Sequence, residues 1–192
     1  MEKKSIWDLH RADIDTYRAT AKLQLAVVLD NVRSLNNIGS VFRTSDAFRV
    51  GRVMLCGITA TPPSVEIHKT ALGAENSVDW SYYPSTAQAV ARLRADGYTV
   101  CCLEQVKGSV PLQDYPVDPA GRYAIIIGHE VNGVDQEVVD MCDAAIEIPQ
   151  QGTKHSLNVA VSAGIALWHF FSGLELKKPH IATNPRIGGK LQ

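Results

Sequence analysis

Five short apolar runs punctuate the chain, at Leu25–Leu29, Val53–Cys56, Tyr98–Leu103, Tyr123–Ile127 and Ala144–Ile148. Each is rich in β-branched residues and nearly continuous, without the polar alternation of a strand that has one wet face. Such runs suit strands of a parallel sheet buried on both sides. The stretches between them read mostly as helices, at Ile38–Phe48, Ala87–Asp96, Gln136–Met141 and Leu157–Phe171. This alternation predicts an α/β fold, a mostly parallel sheet with helices on both faces. Ahead of the first strand, Ile6, Leu9, Ile14 and Tyr17 recur among mixed charges and predict one amphipathic helix over Ile6–Ala21. Beyond Phe171, the segment Gly173–Gln192 carries Lys177, Lys178, Pro179, Pro185, Arg186 and Lys190 and reads as an irregular basic tail.

Composition narrows the class. With 192 residues, 45% of them hydrophobic, the chain is expected to form one globular domain. At that length folding buries roughly 70% of the unfolded surface, so no disulfide or structural metal is required. Charged residues make up 20%, which argues against disorder, and no run approaches the roughly 18 apolar residues of a membrane span. Met1–Tyr17 holds no apolar signal core, so a cytoplasmic location is expected. The cysteines, Cys56, Cys101, Cys102 and Cys142, form no C-x-x-C pair and read as small buried apolar residues in a reducing compartment. The six histidines form no H-x-x-x-H or Cys/His grouping, so no metal is expected.

The net charge of −1 hides a segregation: residues 1–55 carry +3, residues 56–172 carry −7 and residues 173–192 carry +3. Ordinary solvated surface would explain so small a split. Basic ends that line a face for a polyanion would explain it too.

Three polar segments follow predicted strands. The first, Asp30 to Thr44, places polar side chains at the carboxyl end of a strand, where α/β sheets bind ligands. Asn36 or Asn37 can cap the helix that follows, and Arg43 interrupts a face of apolar and small residues, which predicts partial burial against an anion. The second, Ile125 to Val134, ends a β-run in a glycine-bounded turn holding His129 and Glu130. Gly128 and Gly133 allow close backbone approach or positive φ. The bland alternative is a plain strand-to-helix loop with a surface carboxylate and a spectator His129. The third, Ile146 to Val159, runs through a polar loop into an apolar helix, with Ser156 as its expected N-cap and Asn158 expected to be buried in its first turn. Neither G-x-G-x-x-G nor a Walker motif occurs, which disfavours nicotinamide and ATP chemistry. The absence of G-x-S-x-G disfavours a hydrolase.

Together the three segments resemble the SpoU/TrmH branch of the SPOUT class of RNA methyltransferases. That family reads N-x-R-N-x-G-x-x-x-R-T-A, then G-x-E-x-x-G, then P-x-x-G and S-L-N-V. The counterparts here are Asn31 to Thr44, Gly128 to Gly133, and Pro149 to Val159, in that order. Two features depart from the pattern. Ser34-Leu35-Asn36-Asn37 supplies two asparagines and a longer lead-in, and Ser45 stands where alanine is common. Counting six residues back from Arg43 selects Asn37 as the functional asparagine, with Asn36 as the alternative.

The resemblance implies S-adenosylmethionine-dependent methylation of a ribose 2′-hydroxyl in RNA, with short flanks favouring tRNA over rRNA. It implies a C-terminal deep trefoil knot and a homodimer whose sites draw on both subunits. Trp168, Phe170 and Phe171 on the last helix can bury a subunit face, although Phe170 fits a monomer core equally well. The expected organisation is an N-terminal helical extension at 1–24, a methyltransferase domain at 25–172 and the basic tail at 173–192. By the same resemblance, Arg43, Asn37, Glu130, Ser156 and Asn158 form the catalytic group, with either Arg43 or Glu130 taking the ribose proton. Gly128, Ile148 and Leu157 hold the cofactor, and Arg33 and Lys154 contact RNA. Arg33, Arg43, Arg49 and Arg52 are expected to line the RNA face with the lysines and arginine of the tail. The alternative is an RNA-binding or assembly module that keeps the fold without catalysis.

Overall fold

The computed structural model describes residues 12–176 together with residues 1, 3 and 5. The basic tail beyond Leu176, and the part of the expected first helix at 6–11, lie outside the described residues. What is described of that helix is α1 (Ile14–Ala19), which Asp13 caps and which buries none of its residues.

Among the described residues, seven strands form one all-parallel sheet: β1 (Leu23–Asp30), β2 (Val50–Cys56), β3 (Trp80–Tyr83), β4 (Thr99–Leu103), β5 (Val110–Pro111), β6 (Tyr123–Ile127) and β7 (Ala144–Glu147). Their spatial order is β3-β2-β1-β6-β4-β7-β5. The continuous apolar runs have a simple cause. Leu25, Val27 and Leu29 of β1 face one core, whereas Ala26 and Val28 face the other. Likewise, Ile125 of β6 joins the first core and Ala124 and Ile126 join the second. A strand wet on neither face has no polar position to spare.

Helices cover both faces. The first core is closed by α2 (Leu35–Ala47), α3 (Val65–Ala71), α4 (Ala74–Ser77) and α7 (Val159–Phe171), through Ile38, Phe42, Ile67, Leu167 and Phe170 among others. The second is closed by α5 (Thr86–Ala95) and α6 (Gln136–Asp140), through Ala89, Val90, Leu93 and Val138. A π-helical turn at Ser172–Leu176 continues α7. That continuous stretch, Val159–Leu176, is long and apolar enough by composition to cross a membrane. Here Ala163, Ala166, Leu167 and Phe170 are buried in the first core, so one side of it is a core helix.

Two strands and two short α-helices were not expected from the sequence. β3 alternates exposed and half-buried positions at the sheet edge, and β5 is only two residues long and contains a proline. Both lack the continuous apolar run that marks an interior strand. The short helices α3 and α4 fall in the polar stretch between β2 and β3.

Phe170 is fully buried against Tyr115 and Tyr123, so it belongs to the monomer core. Trp168 is half exposed and contacts Phe48 and Phe171. Cys56, Cys101 and Cys102 are buried and Cys142 is half-buried, all as free thiols. Burial pushes the Cys56 thiol up to about 12.

Candidate active site

The three polar segments meet at the carboxyl end of the sheet. Beyond β1, the chain takes a left-handed turn at Asn31 (φ 55°) and enters α2. Ser34, not Asn36 or Asn37, is the N-cap, its hydroxyl accepting from Asn37 N at 3.3 Å. Helix α2 therefore starts at Leu35, three residues earlier than the apolar periodicity indicates. Asn37 is thereby released from capping. Its side chain is buried and turned toward the other segments.

Beyond β6, the chain closes a tight turn in which His129 and Gly133 exchange backbone hydrogen bonds at 3.0 and 2.9 Å. The turn needs both of its glycines. A Cβ on Gly128 would lie 2.2 Å from the Gly133 carbonyl carbon, and Gly133 has φ +69° with its missing Cβ 2.0 Å from Glu104 Oε2. Glycine at 128 thus serves the packing of the turn on itself.

Glu130 is presented from this turn. Its Oε2 accepts from Arg33 N at 3.1 Å, and its Oε1 accepts from Ser34 N at 2.9 Å and from Asn37 Nδ2 at 3.2 Å. Partial burial opposes the charge, but these backbone and amide donors outweigh it and hold the carboxyl below its ordinary value of 4.5.

The third segment reaches the same point. Asn158, not Ser156, caps α7, accepting from Ala160 N at 2.9 Å and Val161 N at 3.3 Å. Its Nδ2 donates to Asn37 Oδ1 at 3.1 Å. Asn158 is exposed rather than buried, because it precedes the helix instead of sitting inside its first turn. A chain of side chains, Glu130 to Asn37 to Asn158, thus ties the three motifs together.

Two carboxylates that the sequence reading passed over brace the turn from behind. Glu104, just after β4, accepts from Val134 N at 2.9 Å. Asp30, the buried last residue of β1, accepts from Thr86 Oγ1 at 2.5 Å and Asp135 N at 3.3 Å. Burial raises the Asp30 pKa. The signal for Asp30 was present in the sequence, since a carboxylate ending an apolar strand must find donors.

Beside this network lies a cleft of about 320 Å³. Gly128, Ile148 and Leu157 line it, as do Glu130 and Ser156. Its charged side chains are Glu104, Glu130 and Glu147, with no lysine or arginine among the lining residues. Gln105 Nε2 donates to His155 O at 3.0 Å and joins two loops at its rim. Among the described residues no group of three His, Cys, Asp or Glu side chains is arranged to hold a metal ion.

Arg43 is not part of this gathering. It is exposed, makes no hydrogen bond or ion pair among the described residues, and lines a separate depression with Tyr17, Asp46 and Phe171. Six residues of helix place it about 9 Å along the axis from Asn37 and on a different face. The expected ion pair is not formed among the described residues: Asp46 lines the same depression, but the arginine is exposed rather than partly buried.

Two of the basic residues expected at an RNA face are engaged elsewhere. Arg49 pairs with Glu175 at 2.7 Å, and Arg52 pairs with Asp96 at 3.6 Å, toward the amino end of the sheet. Arg33 and Lys154 are exposed beside the site.

Residues 24–168 match the SpoU rRNA Methylase family. The chain is 29% identical over 160 residues to a 23S rRNA (guanosine-2′-O-)-methyltransferase RlmB of Vibrio vulnificus, covering 83% of this chain and 64% of that protein. It therefore spans about two thirds of the length of that relative. It also superposes on the TrmH/SpoU tRNA modifying enzyme of A. aeolicus, with TM-score 0.75, 25% identity, and coverage of 85% of this chain and 83% of that one. A further likeness is to an AdoMet-bound rRNA methyltransferase from Sinorhizobium meliloti, with TM-score 0.71, 28% identity, and coverage of 80% and 59%. With the matched span running from β1 through most of α7 and taking in all three motifs, the chain belongs to the SpoU rRNA Methylase family.

Proposed function

We propose that this chain transfers a methyl group from S-adenosylmethionine to a ribose 2′-hydroxyl in RNA, with tRNA as the first substrate class. The observation that carries the reading is the Glu130–Asn37–Asn158 network set against a cleft whose charged lining is entirely acidic. A ligand bearing a sulfonium and an ammonium group suits such a cleft, whereas a nucleotide polyphosphate would be repelled. The match to the A. aeolicus tRNA modifying enzyme over most of both chains supports tRNA.

When bound, S-adenosylmethionine supplies an electrophilic methyl group on a positively charged sulfur. The protein's task is to align the ribose oxygen with that carbon and to favour loss of the hydroxyl proton. Gly128, Ile148 and Leu157 hold the cofactor along the cleft. Ser156 and Asn158, at the mouth of the cleft and the start of α7, orient the ribose. Glu130 is a positioning residue: three N–H donors occupy its oxygens and keep it a weak base, so it fixes the first motif rather than taking the proton. Arg43 stabilises charge on the ribose oxygen and its phosphate, with proton transfer coupled to that phosphate. Arg33 and Lys154 contact neighbouring phosphates.

Arg43 is read as playing this part from a second copy, in a homodimer, since it lines a depression apart from the cleft of its own chain. Val161, Ile165 and Trp168 form an exposed apolar stripe at helical spacing on α7, 51%, 41% and 51% accessible. A patch of this kind on a helix beginning at the site is suited to a second α7. The C-terminal part of the 25–172 domain is read as a deep trefoil knot. Support comes from β6, which enters the sheet between β1 and β4, and from β7, which enters between β4 and β5, after those neighbours in the chain. Residues 1–24 and 173–192 are read as flanks of this domain, although Leu23 already belongs to β1 and Gly173–Leu176 continue α7 instead of opening an irregular tail, and the reaction is read as cytoplasmic.

The direct test is incubation of the protein with methyl-labelled S-adenosylmethionine and either bulk tRNA or rRNA. Label is expected in tRNA, and Arg43→Ala should abolish transfer while leaving the circular dichroism spectrum unchanged. Full activity in Arg43→Ala would remove that residue from the mechanism.

A further inference from the structure

His129 lines the cleft, and the turn that carries it fixes which of its ring nitrogens accepts. Its Nδ1 lies 3.0 Å from Val131 N and 3.2 Å from Asn132 N. Backbone amides only donate, so Nδ1 must present its lone pair to both. In a neutral imidazole the proton is then on Nε2. The reciprocal backbone bonds between His129 and Gly133 fix the base of the ring as well. Nε2 has no hydrogen-bond partner among the described residues, and His129 is half-buried among the residues that line the cleft. The result is an N–H donor held in place before any ligand arrives, so little side-chain entropy is lost when it is used.

We propose that His129 is a positioning and specificity residue for the cofactor, its Nε2–H donating to a ligand oxygen, either a ribose hydroxyl or the amino-acid carboxylate. The proposal rests on the reading of the cleft as the S-adenosylmethionine site. Glu104, Glu130 and Glu147 can only accept while ionised, and they repel a ligand carboxylate. A neutral donor with fixed direction meets a need that the acidic lining cannot.

The test separates the two ring nitrogens. In His129→Asn the shorter amide places an oxygen where Nδ1 was, able to accept from the residue two positions on, so the turn is kept. Nothing in that variant reaches the position of Nε2. In His129→Gln the longer amide brings an N–H to about that position, and His129→Ala loses both functions. Calorimetric titration of the full chain would use two probes, S-adenosylhomocysteine and 5′-methylthioadenosine, the second lacking the amino-acid part.

His129→Asn is expected to melt with the wild type yet bind S-adenosylhomocysteine roughly tenfold more weakly, the effect of one lost hydrogen bond. His129→Gln should bind more tightly than His129→Ala. A loss confined to S-adenosylhomocysteine assigns the carboxylate, and an equal loss for both probes assigns the ribose. Wild-type affinity in His129→Asn, or a glutamine variant no better than alanine, would overturn the proposal and leave His129 as a brace for the turn. If the wild type binds neither probe, the cofactor reading falls and this proposal falls with it. Binding by the wild type with no effect of the variants removes the His129 role alone.

Discussion

Asn158 donates its side-chain amide to the side-chain oxygen of Asn37 at 3.1 Å, joining residues 121 positions apart in the chain. Neither asparagine is held by that contact alone. Asn37 also donates to Glu130, and Asn158 also caps α7. Each amide therefore uses its donor and its acceptor side at once. The start of α2, the turn after β6 and the start of α7 are thereby tied into one hydrogen-bonded unit.

Removing the middle of this chain should show the coupling. Asn37→Ala deletes two hydrogen bonds of a buried side chain and is expected to cost about 1–3 kcal/mol, measured by urea unfolding. Asn37→Asp should cost more than alanine, because it sets a carboxylate against Glu130. An aspartate variant as stable as the wild type would mean that the Asn37 to Glu130 contact is not formed in solution.

Glu130 sets a pH dependence with a definite sign. Its pKa is lowered on folding from an ordinary value of 4.5, so its contribution to stability is present above that value. It is lost as the pH falls through the lower, folded value. Thermal melts of the wild type and Glu130→Gln between pH 7 and pH 3 should therefore converge at the acidic end. A gap that widens as pH falls would contradict the hydrogen-bonding pattern.

Subunit complementation tests where Arg43 acts. Arg43→Ala and Glu130→Gln homodimers should each be nearly inactive. After mixing under conditions that exchange subunits, one site per heterodimer pairs an intact Arg43 with an intact Glu130 from the other chain. Methyl transfer should recover to a measurable fraction of the wild type. No recovery despite demonstrated exchange would place both residues in a site within one chain.

The α7 stripe can be broken without entering the cleft. Trp168→Glu puts a charge at the C-terminal end of the exposed apolar stripe, and sedimentation should show a monomer that retains its helical content. A variant that remains dimeric would move the interface elsewhere.

The sequence disclosed the interior of the fold better than its margins. β1 and β6 are legible because burial on both faces leaves an uninterrupted apolar run. β3 and β5 were not, because an edge strand of four residues and another of two satisfy no long pattern. Within the site, the motif residues were legible but their tasks were exchanged. Asn36 or Asn37, and Ser156, were expected to cap helices that Ser34 and Asn158 cap instead. Cap identity depends on where the first helical residue falls, and an apolar period cannot fix that to within a turn. Arg43 was expected to be partly buried because its neighbours in sequence are small and apolar. A 3.6-residue period turns it outward, away from Ile38, Val41 and Phe42. The bracing roles of Glu104 and Asp30 depend on contacts from distant loops that no local pattern records.

The most direct test of the central claim is nucleoside mass spectrometry on RNA incubated with the purified protein and S-adenosylmethionine carrying a deuterated methyl group. The account predicts a single class of labelled product, a nucleoside with the heavy methyl on its ribose 2′-oxygen, present with the wild type and absent with Arg43→Ala. Label on a base, or no label in RNA from a protein that binds the cofactor, would contradict it.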